Sequence, residues 1–292
     1  MASSNNIAPL IVIVGETASG KSALAMGLAQ RFGGEIIAAD SWTVYRDFNI
    51  GTAKPSEQDR RLIPHHLLDV ADPRRGFSAA EFKRLAQEAI VDISNRGKLA
   101  ILVGGTGLYI DSLLYDYGFL PPSSVSERKK LESMSLERLL QLADKLNLDV
   151  SRIDIRNKRR VIRFIENKGR QPSKNNLRDN TLVIGLKIDR QELELRIKKR
   201  IDSMLEAGLE NEVKNLSDKY GWAAEPMKGI GYREWQGYFN KTQDLEATID
   251  RIISSTKNLV KKQGTWFKRN KSIHWVKNKR QAVDLVTTFL NN

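Results

Sequence analysis

Leu10-Ile11-Val12-Ile13-Val14-Gly15-Glu16-Thr17-Ala18-Ser19-Gly20-Lys21-Ser22 reads as an apolar strand, a glycine-rich turn and a helix start that continues into Ala23-Leu24-Ala25-Met26. The spacing G-x-x-x-x-G-K-[ST] in that context is the pattern of a phosphate-binding loop. Glycines let the backbone curl until successive N–H groups and the helix N-terminus face one anion, and Lys21 adds a point charge. From average residue usage, a chain of this length meets the pattern by accident on the order of once in a hundred. Gly15, Glu16, Thr17, Ala18, Ser19, Gly20, Lys21 and Ser22 therefore form the candidate site for a phosphate or diphosphate.

Outward from that loop, strand and helix patterns alternate. Glu35-Ile36-Ile37-Ala38-Ala39 is a short buried-strand pattern that ends at Asp40-Ser41, and Leu99-Ala100-Ile101-Leu102-Val103 is another that runs into Gly104-Gly105-Thr106-Gly107. Between them Ser78 and Glu81 have the spacing of a capping box. The helix it opens carries Phe82, Leu85, Ala86, Ala89, Ile90 and Ile93 and stops near Gly97. Alternation of this kind predicts an α/β fold with a parallel, P-loop NTPase-like sheet flanked by helices. Thr181-Leu182-Val183-Ile184-Gly185-Leu186-Lys187-Ile188 adds a strand. After Asp189 one long helix is expected through Leu193, Ile197, Ile201, Leu205, Leu209, Val213 and Leu216, with Gly208 as its weak point. Pro121-Pro122 marks a break, and the basic, helical stretch beyond it predicts an insertion. The expected division is an α/β core of residues 1–120 and 181–292 and a helical insertion domain of residues 121–180.

The chain of 292 residues has no cysteine, which excludes disulfides, thiolate zinc sites and thiol nucleophiles. Met1-Ala2-Ser3-Ser4-Asn5-Asn6 has no basic leader, and no apolar run is long enough to span a membrane, so a cytoplasmic protein is expected. Lys and Arg number 48 against 35 Asp and Glu, a formal net charge of +13. Such a charge favours polyanions, nucleic acid first among them.

Ligands of open parallel sheets bind beyond the carboxyl ends of the strands. The phosphate loop, Asp40-Ser41 and Gly104–Gly107 each follow a strand and should share one edge. Asp40 suits three roles there: a metal-binding acid, a general base, or a cap for the next turn. The adjacent His65 and His66 point to opposite sides and are expected to shape structure or substrate rather than to hold a metal together. Over residues 155–166, Arg156, Arg159, Arg160 and Arg163 have i, i+3, i+4, i+7 spacing, so one helix face should be all arginine, with Val161, Ile162 and Ile165 packed beneath. No acid is expected on that face, which suits bidentate contacts to a phosphate backbone. A second basic segment, 257–271, mixes Lys261-Lys262-Gln263 with Thr265-Trp266-Phe267-Lys268-Arg269.

With these pieces assembled, the chain resembles the bacterial tRNA dimethylallyltransferases (tRNA isopentenyltransferases) along almost its whole length. The residues that carry the resemblance are Gly15 to Ser22; Asp40-Ser41 with Val44-Tyr45-Arg46; Ile50-Gly51-Thr52-Ala53-Lys54-Pro55; residues 64–69; and Leu102-Val103-Gly104-Gly105-Thr106-Gly107-Leu108-Tyr109. Gly208-Leu209 with Glu212-Val213, Ile230-Gly231-Tyr232-Arg233-Glu234 and Lys262-Gln263-Gly264-Thr265-Trp266-Phe267-Lys268 complete the series. The resemblance implies transfer of a dimethylallyl group from dimethylallyl diphosphate to N6 of the adenosine just 3′ of the anticodon, assisted by Mg²⁺. It implies that the loop and Lys21 grip the donor's diphosphate, with the Mg²⁺ near Ser22, and that Asp40 takes the amine proton. Thr17 and Thr106 would line the channel, and Arg128 would reach donor phosphate or tRNA. Asp40, Ser41, Trp42, Thr43, Arg159, Arg160, Arg163, Lys228, Gly231, Tyr232 and Arg233 would meet a tRNA clamped between insertion and core, by a protein expected to be monomeric. Glu16 stands where the family usually has Pro and is expected to point outward. Thr43 replaces a Gln, Trp42 a Met, and Gly229 a bulkier residue. The competing readings are an adenylate (free-nucleotide) isopentenyltransferase, a small-molecule P-loop kinase, and an RNA-binding module with a relic loop.

Overall fold

The computed structural model describes residues 7–121 and 123–292, so the expectations placed on Met1–Asn6 and on Pro122 lie outside the described residues. Two compact units emerge: one runs up to Leu114 and resumes over Leu177–Asn292, the other is Tyr115–Asn176.

The first unit is built on a six-stranded sheet of β1 (Leu10–Val14), β2 (Gly34–Ala39), β3 (His65–His66), β4 (Leu99–Gly104), β5 (Thr181–Leu186) and β6 (Ile273–Val276), in the order β3-β2-β4-β1-β5-β6. Every pair is parallel. Parallel strands need helices on both faces, so β1 is buried along its length and reads as an unbroken apolar run. Ile11, Ile13, Leu24, Leu28, Ile36, Ile101 and Ile184 form the core between the sheet and the phosphate-loop helix, Lys21–Phe32. That helix is bounded by Gly20 at φ 94° and Gly33 at φ 64°, left-handed conformations that glycine adopts without a Cβ clash.

Register decides where the loops emerge. Val14 lies opposite both Gly104 and Gly185, and Ala39 lies opposite Gly104. The strand ends are therefore level, and the three candidate loops share one edge. The approach is close, since a Cβ on Gly104 would stand 2.0 Å from the Ala39 carbonyl oxygen. The capping box of Ser78 and Glu81 forms and opens the helix Ala79–Asn95. Its face buries Phe82, Ala86, Ala89, Ile90 and Ile93, while Leu85 is only half-buried. His65 and His66 do diverge: His65 Nδ1 sits 2.8 Å from the Ile63 carbonyl, and His66 Nε2 sits 2.7 Å from the buried Glu35 carboxylate.

The single long helix expected after Asp189 is two helices, Arg190–Glu206 and Leu209–Tyr220. Gly208 takes φ 93°, outside helical space, and the chain bends there. The bend delivers Glu212 to the 49–51 turn, where its carboxylate accepts from the N–H groups of Asn49 (3.1 Å), Ile50 (2.8 Å) and Gly51 (3.0 Å). The Tyr232 hydroxyl donates to the same carboxylate at 2.7 Å, and the Tyr232 ring fills the space that a Cβ on Gly51 would need. Motifs scattered along the sequence thus converge on one carboxylate. Glu212→Ala would strip a charged acceptor from four donors and is expected to cost about 3 kcal/mol, the upper value for one such bond, because the N–H groups of the 49–51 turn are not fully buried and can turn to water. Urea unfolding followed by tryptophan fluorescence checks this, and an unchanged midpoint would contradict it.

In the second unit the helices Val125–Ser133, Leu136–Lys145 and Lys158–Glu166 pack around Leu131, Leu139, Ala143, Val161, Ile162 and Ile165. The arginine face departs from expectation. The helix starts at Lys158, capped by Asn157, so Arg156 precedes it and pairs with Asp154 at 3.0 Å. Nor is the face free of acids. Arg163 donates to Glu166 at 2.8 Å and to the Leu120 carbonyl at 3.0 Å. Arg128, expected at phosphate or RNA, donates to the same Glu166 at 2.9 Å and to Glu132 at 2.8 Å. Burial alone would raise the Glu166 carboxyl, but bonds from Ser123, Arg128 and Arg163 outweigh it and hold it low. A carboxylate only 1 % exposed recruits the nearest guanidiniums because an unpaired buried charge is costly. Arg159 and Arg160 remain exposed.

Candidate functional site

The phosphate loop departs from helix and strand geometry where an anion site needs it. Ala18 takes φ 65°, and the Ser19 N–H bonds back to the Glu16 carbonyl at 3.1 Å, closing the turn. The N–H groups that open the following helix have no intrahelical acceptor, so they and the positive end of the helix dipole face the loop's concavity. Lys21 donates to the Glu16 carbonyl at 3.3 Å. Burial pushes its ammonium down to about 8, with Arg200 adding to the fall and Asp40 opposing it. Arg200, on the helix Arg190–Glu206, is half-buried; burial lowers its guanidinium, while Asp40 again pulls the other way. One carboxylate and two cations therefore feel one another at the level strand ends. Sequence reading missed Arg200, because a basic residue on an amphipathic helix looks like any solvated charge.

Asp40 follows β2 directly. Its Oδ1 accepts from the Trp42 N–H at 2.9 Å, which turns the chain away from the sheet. The second carboxylate oxygen has no part in that turn. Thr106 Oγ1 accepts from the Ser41 N–H at 3.0 Å and stands 3.3 Å from Ser41 Oγ, locking the Gly104–Gly107 loop to the Asp40-Ser41 turn. Asp40, Ser41, Trp42, Thr17 and Thr106 are all half-buried, accessible without being bare, and Ser22 at the helix start is exposed.

Several expected contact residues are not at a surface. Tyr232 is 1 % exposed and its hydroxyl is spent on Glu212; Gly231 is buried, its N–H given to Glu234 at 2.9 Å. Thr43 is buried as well, its hydroxyl within 3.5 Å of the Asp40 carbonyl. Burying an aromatic ring of that size stabilises the 49–51 turn more than a surface contact could. These three residues lie beneath the surface, whereas Lys228 and Arg233 are exposed, paired with Glu225 and Glu234. Glu16 does not point outward into solvent. It lies half-buried over Gly264, where a Cβ would come within 2.5 Å of its Oε1, and burial raises its carboxyl against the pull of Lys268. The Trp42 ring packs within 3.2 Å of where a Gly229 Cβ would stand. A side chain at 229 would crowd that ring, so the large residue at 42 and the lack of a side chain at 229 fit together.

A family profile described as IPP transferase matches residues 43–270. A protein named tRNA dimethylallyltransferase from Anoxybacillus flavithermus is 39 % identical over 277 residues, covering 91 % of this chain and 89 % of its own. Among solved structures, a tRNA delta(2)-isopentenylpyrophosphate transferase from Staphylococcus epidermidis is 37 % identical with a TM-score of 0.73, covering 97 % of this chain and 99 % of its own. A eukaryotic dimethylallyltransferase described as acting on tRNA superposes with a TM-score of 0.84 at 27 % identity, over 98 % of this chain and 80 % of its own.

Proposed function

The chain belongs to the IPP transferase family, and from that membership we propose that it transfers a dimethylallyl group from dimethylallyl diphosphate to N6 of the adenosine 3′-adjacent to the anticodon of tRNA. The observation that carries this reading is the placement of the phosphate loop and Asp40 on one sheet edge, with Lys21 and Arg200 within electrostatic reach of Asp40.

The chemistry follows from those positions. The bond between the allylic carbon and the diphosphate oxygen breaks as the N6 lone pair forms the new carbon–nitrogen bond. Charge accumulates on the departing diphosphate, where the loop amides and Lys21 stabilise it; a preorganised donor of this kind is worth about 10²–10³-fold. The proton released by N6 passes to the Asp40 carboxylate, whose Oδ1 is held by the Trp42 N–H. An oriented base typically contributes about 10²–10⁴-fold. Mg²⁺ keeps several of its waters and relies largely on substrate phosphate, so it asks for few protein ligands. Ser22 would hold it, and when bound it neutralises diphosphate charge. Extruding the target base from its stack costs about a few kcal/mol, recovered through cationic contacts with the RNA backbone.

The test is direct. The protein is incubated with dimethylallyl diphosphate, Mg²⁺ and unmodified tRNA, and the digested RNA is examined by mass for N6-prenylated adenosine. Product on AMP and none on tRNA would establish the free-nucleotide enzyme instead; phosphorylated product with ATP consumed would establish a kinase.

Within the insertion, Arg160 and Arg163 should now behave differently. Arg160→Ala is expected to flatten the salt dependence of tRNA binding by ~0.7–0.9 log units for each phosphate that the missing guanidinium would have neutralised. Arg163→Ala should instead destabilise the unit by leaving Glu166 short of a partner. Filter binding across a salt series and thermal melts separate the two, and equal salt slopes for Arg160→Ala and the parent would remove Arg160 from the RNA interface.

A further inference from the structure

Lys262-Gln263-Gly264-Thr265-Trp266-Phe267-Lys268 takes no part in the chemistry above, yet its side chains reach the loops that do. Gln263, near the end of the helix Leu245–Phe267, is only 7 % exposed. Its Oε1 accepts from the Thr17 N–H of the phosphate loop at 2.8 Å, and its Nε2 donates to the Gly105 carbonyl at 3.1 Å. A primary amide offers an acceptor and two donors, and here one of each is spent on a different loop.

The place of these bonds is informative. Pairing between β1 and β4 ends at Val14 and Gly104. Beyond that pair the Gln263 amide joins the two loops, accepting from Thr17, three residues past Val14, and donating to Gly105, one residue past Gly104. The fit depends on glycine: a Cβ on Gly105 would lie 2.3 Å from Gln263 Nε2, and one on Gly107 would lie 2.4 Å from the Trp266 ring. Trp266 in turn donates from Nε1 to Asp111 at 2.9 Å, fixing the helix that follows the Gly104–Gly107 loop. Because Thr106 is bonded to Ser41, an unbroken tie runs from the phosphate loop through Gln263, Gly105 and Thr106 to the turn of Asp40.

We propose that Gln263 is a positioning residue for the transfer step: its amide fixes the separation between the diphosphate cradle and the Thr106–Asp40 side, so that leaving group and attacking amine stay in line. This role rests on the transfer reading given above. Gln263 is nearly covered and its amide is engaged by the two loops, so its effect should fall on the rate of transfer and not on affinity. A misplacement on the order of 1 Å costs about 10²-fold.

Gln263→Leu removes both bonds at similar volume, while Gln263→Glu keeps the acceptor for Thr17 and loses the donor for Gly105. With enzyme in excess over saturated tRNA and dimethylallyl diphosphate, the single-turnover rate constant reports only folded protein, so loss of fold lowers the active fraction without mimicking the effect. Gln263→Leu is expected to slow that constant by about 10²-fold, and Gln263→Glu less, with the dissociation constants of tRNA and donor unchanged. Parent-like rate constants in both variants, or a deficit confined to the dissociation constants, would overturn the role. A parent protein that prenylates no tRNA would remove the transfer reading itself, and the role with it.

Discussion

Asp40→Asn is expected to lower the single-turnover rate of transfer by about 10²–10⁴-fold, the usual worth of a positioned base, while tRNA affinity stays that of the parent. The amide oxygen of Asn can still accept from the Trp42 N–H, so the turn and its Thr106–Ser41 lock should persist. What disappears is a group able to take the N6 proton as the carbon–nitrogen bond forms. The exchange also removes a negative charge that favours the cationic forms of Lys21 and Arg200. The same charge repels an anionic donor, so its two effects on donor affinity oppose each other, and a loss confined to the donor's KM would contradict a base role. Rapid-quench measurement of prenylated RNA, paired with tRNA binding, reads both quantities.

Lys21→Ala is expected to cost about 10²–10³-fold in the same rate, comparable to removing one preorganised donor from a developing anion. The pH dependence supplies a second signature. Burial holds the Lys21 ammonium down to about 8, so above that pH the free protein presents a neutral amine to the donor. Bound diphosphate favours the charged form, so binding takes up a proton between pH 8 and the higher value of the complex. Apparent donor affinity should then fall as pH rises through about 8, and Lys21→Ala should abolish that fall. Stability moves the other way. An unfolded lysine titrates near 10.4, so between about 8 and 10.4 the unfolded chain binds more protons than the folded one. Stability of the ligand-free protein therefore rises with pH across that window. Calorimetric titration of the donor in buffers of different ionisation enthalpy measures the proton uptake; identical heats in all buffers at pH 8.5 would contradict it.

Reading along the chain succeeded where one residue pattern dictates its own local geometry. The phosphate loop, the capping box at Ser78 and the strands that end at Asp40 and Gly104 all rest on interactions within a few residues, and all take the expected form. It failed where partners arrive from elsewhere. The all-arginine face of residues 155–166 ignored Asp154 and Glu166, two acids close in sequence whose reach depends on where the helix begins and what the unit buries. Tyr232 and Gly231 carried the right motif and the wrong exposure, because Glu212 becomes their partner only after the chain bends at Gly208. Gln263 sits 246 residues from Thr17, and no periodicity or spacing connects them.

The sequence by itself determined the glycine-rich turn between the first strand and its helix, the α/β sheet that presents it, and which acid stands at the end of the second strand. Those conclusions follow from backbone conformations that glycine permits and from the side-chain periods of strand and helix. Only the tertiary structure decided which charged residues face the site and which neutralise one another in the interior. The gathering of half-buried Lys21 and Arg200 about Asp40, and the bridge made by Gln263, exist because parallel strands level their ends and bring distant helices over them. A buried polar group must find its partners in space, and proximity in space is what a linear string does not contain.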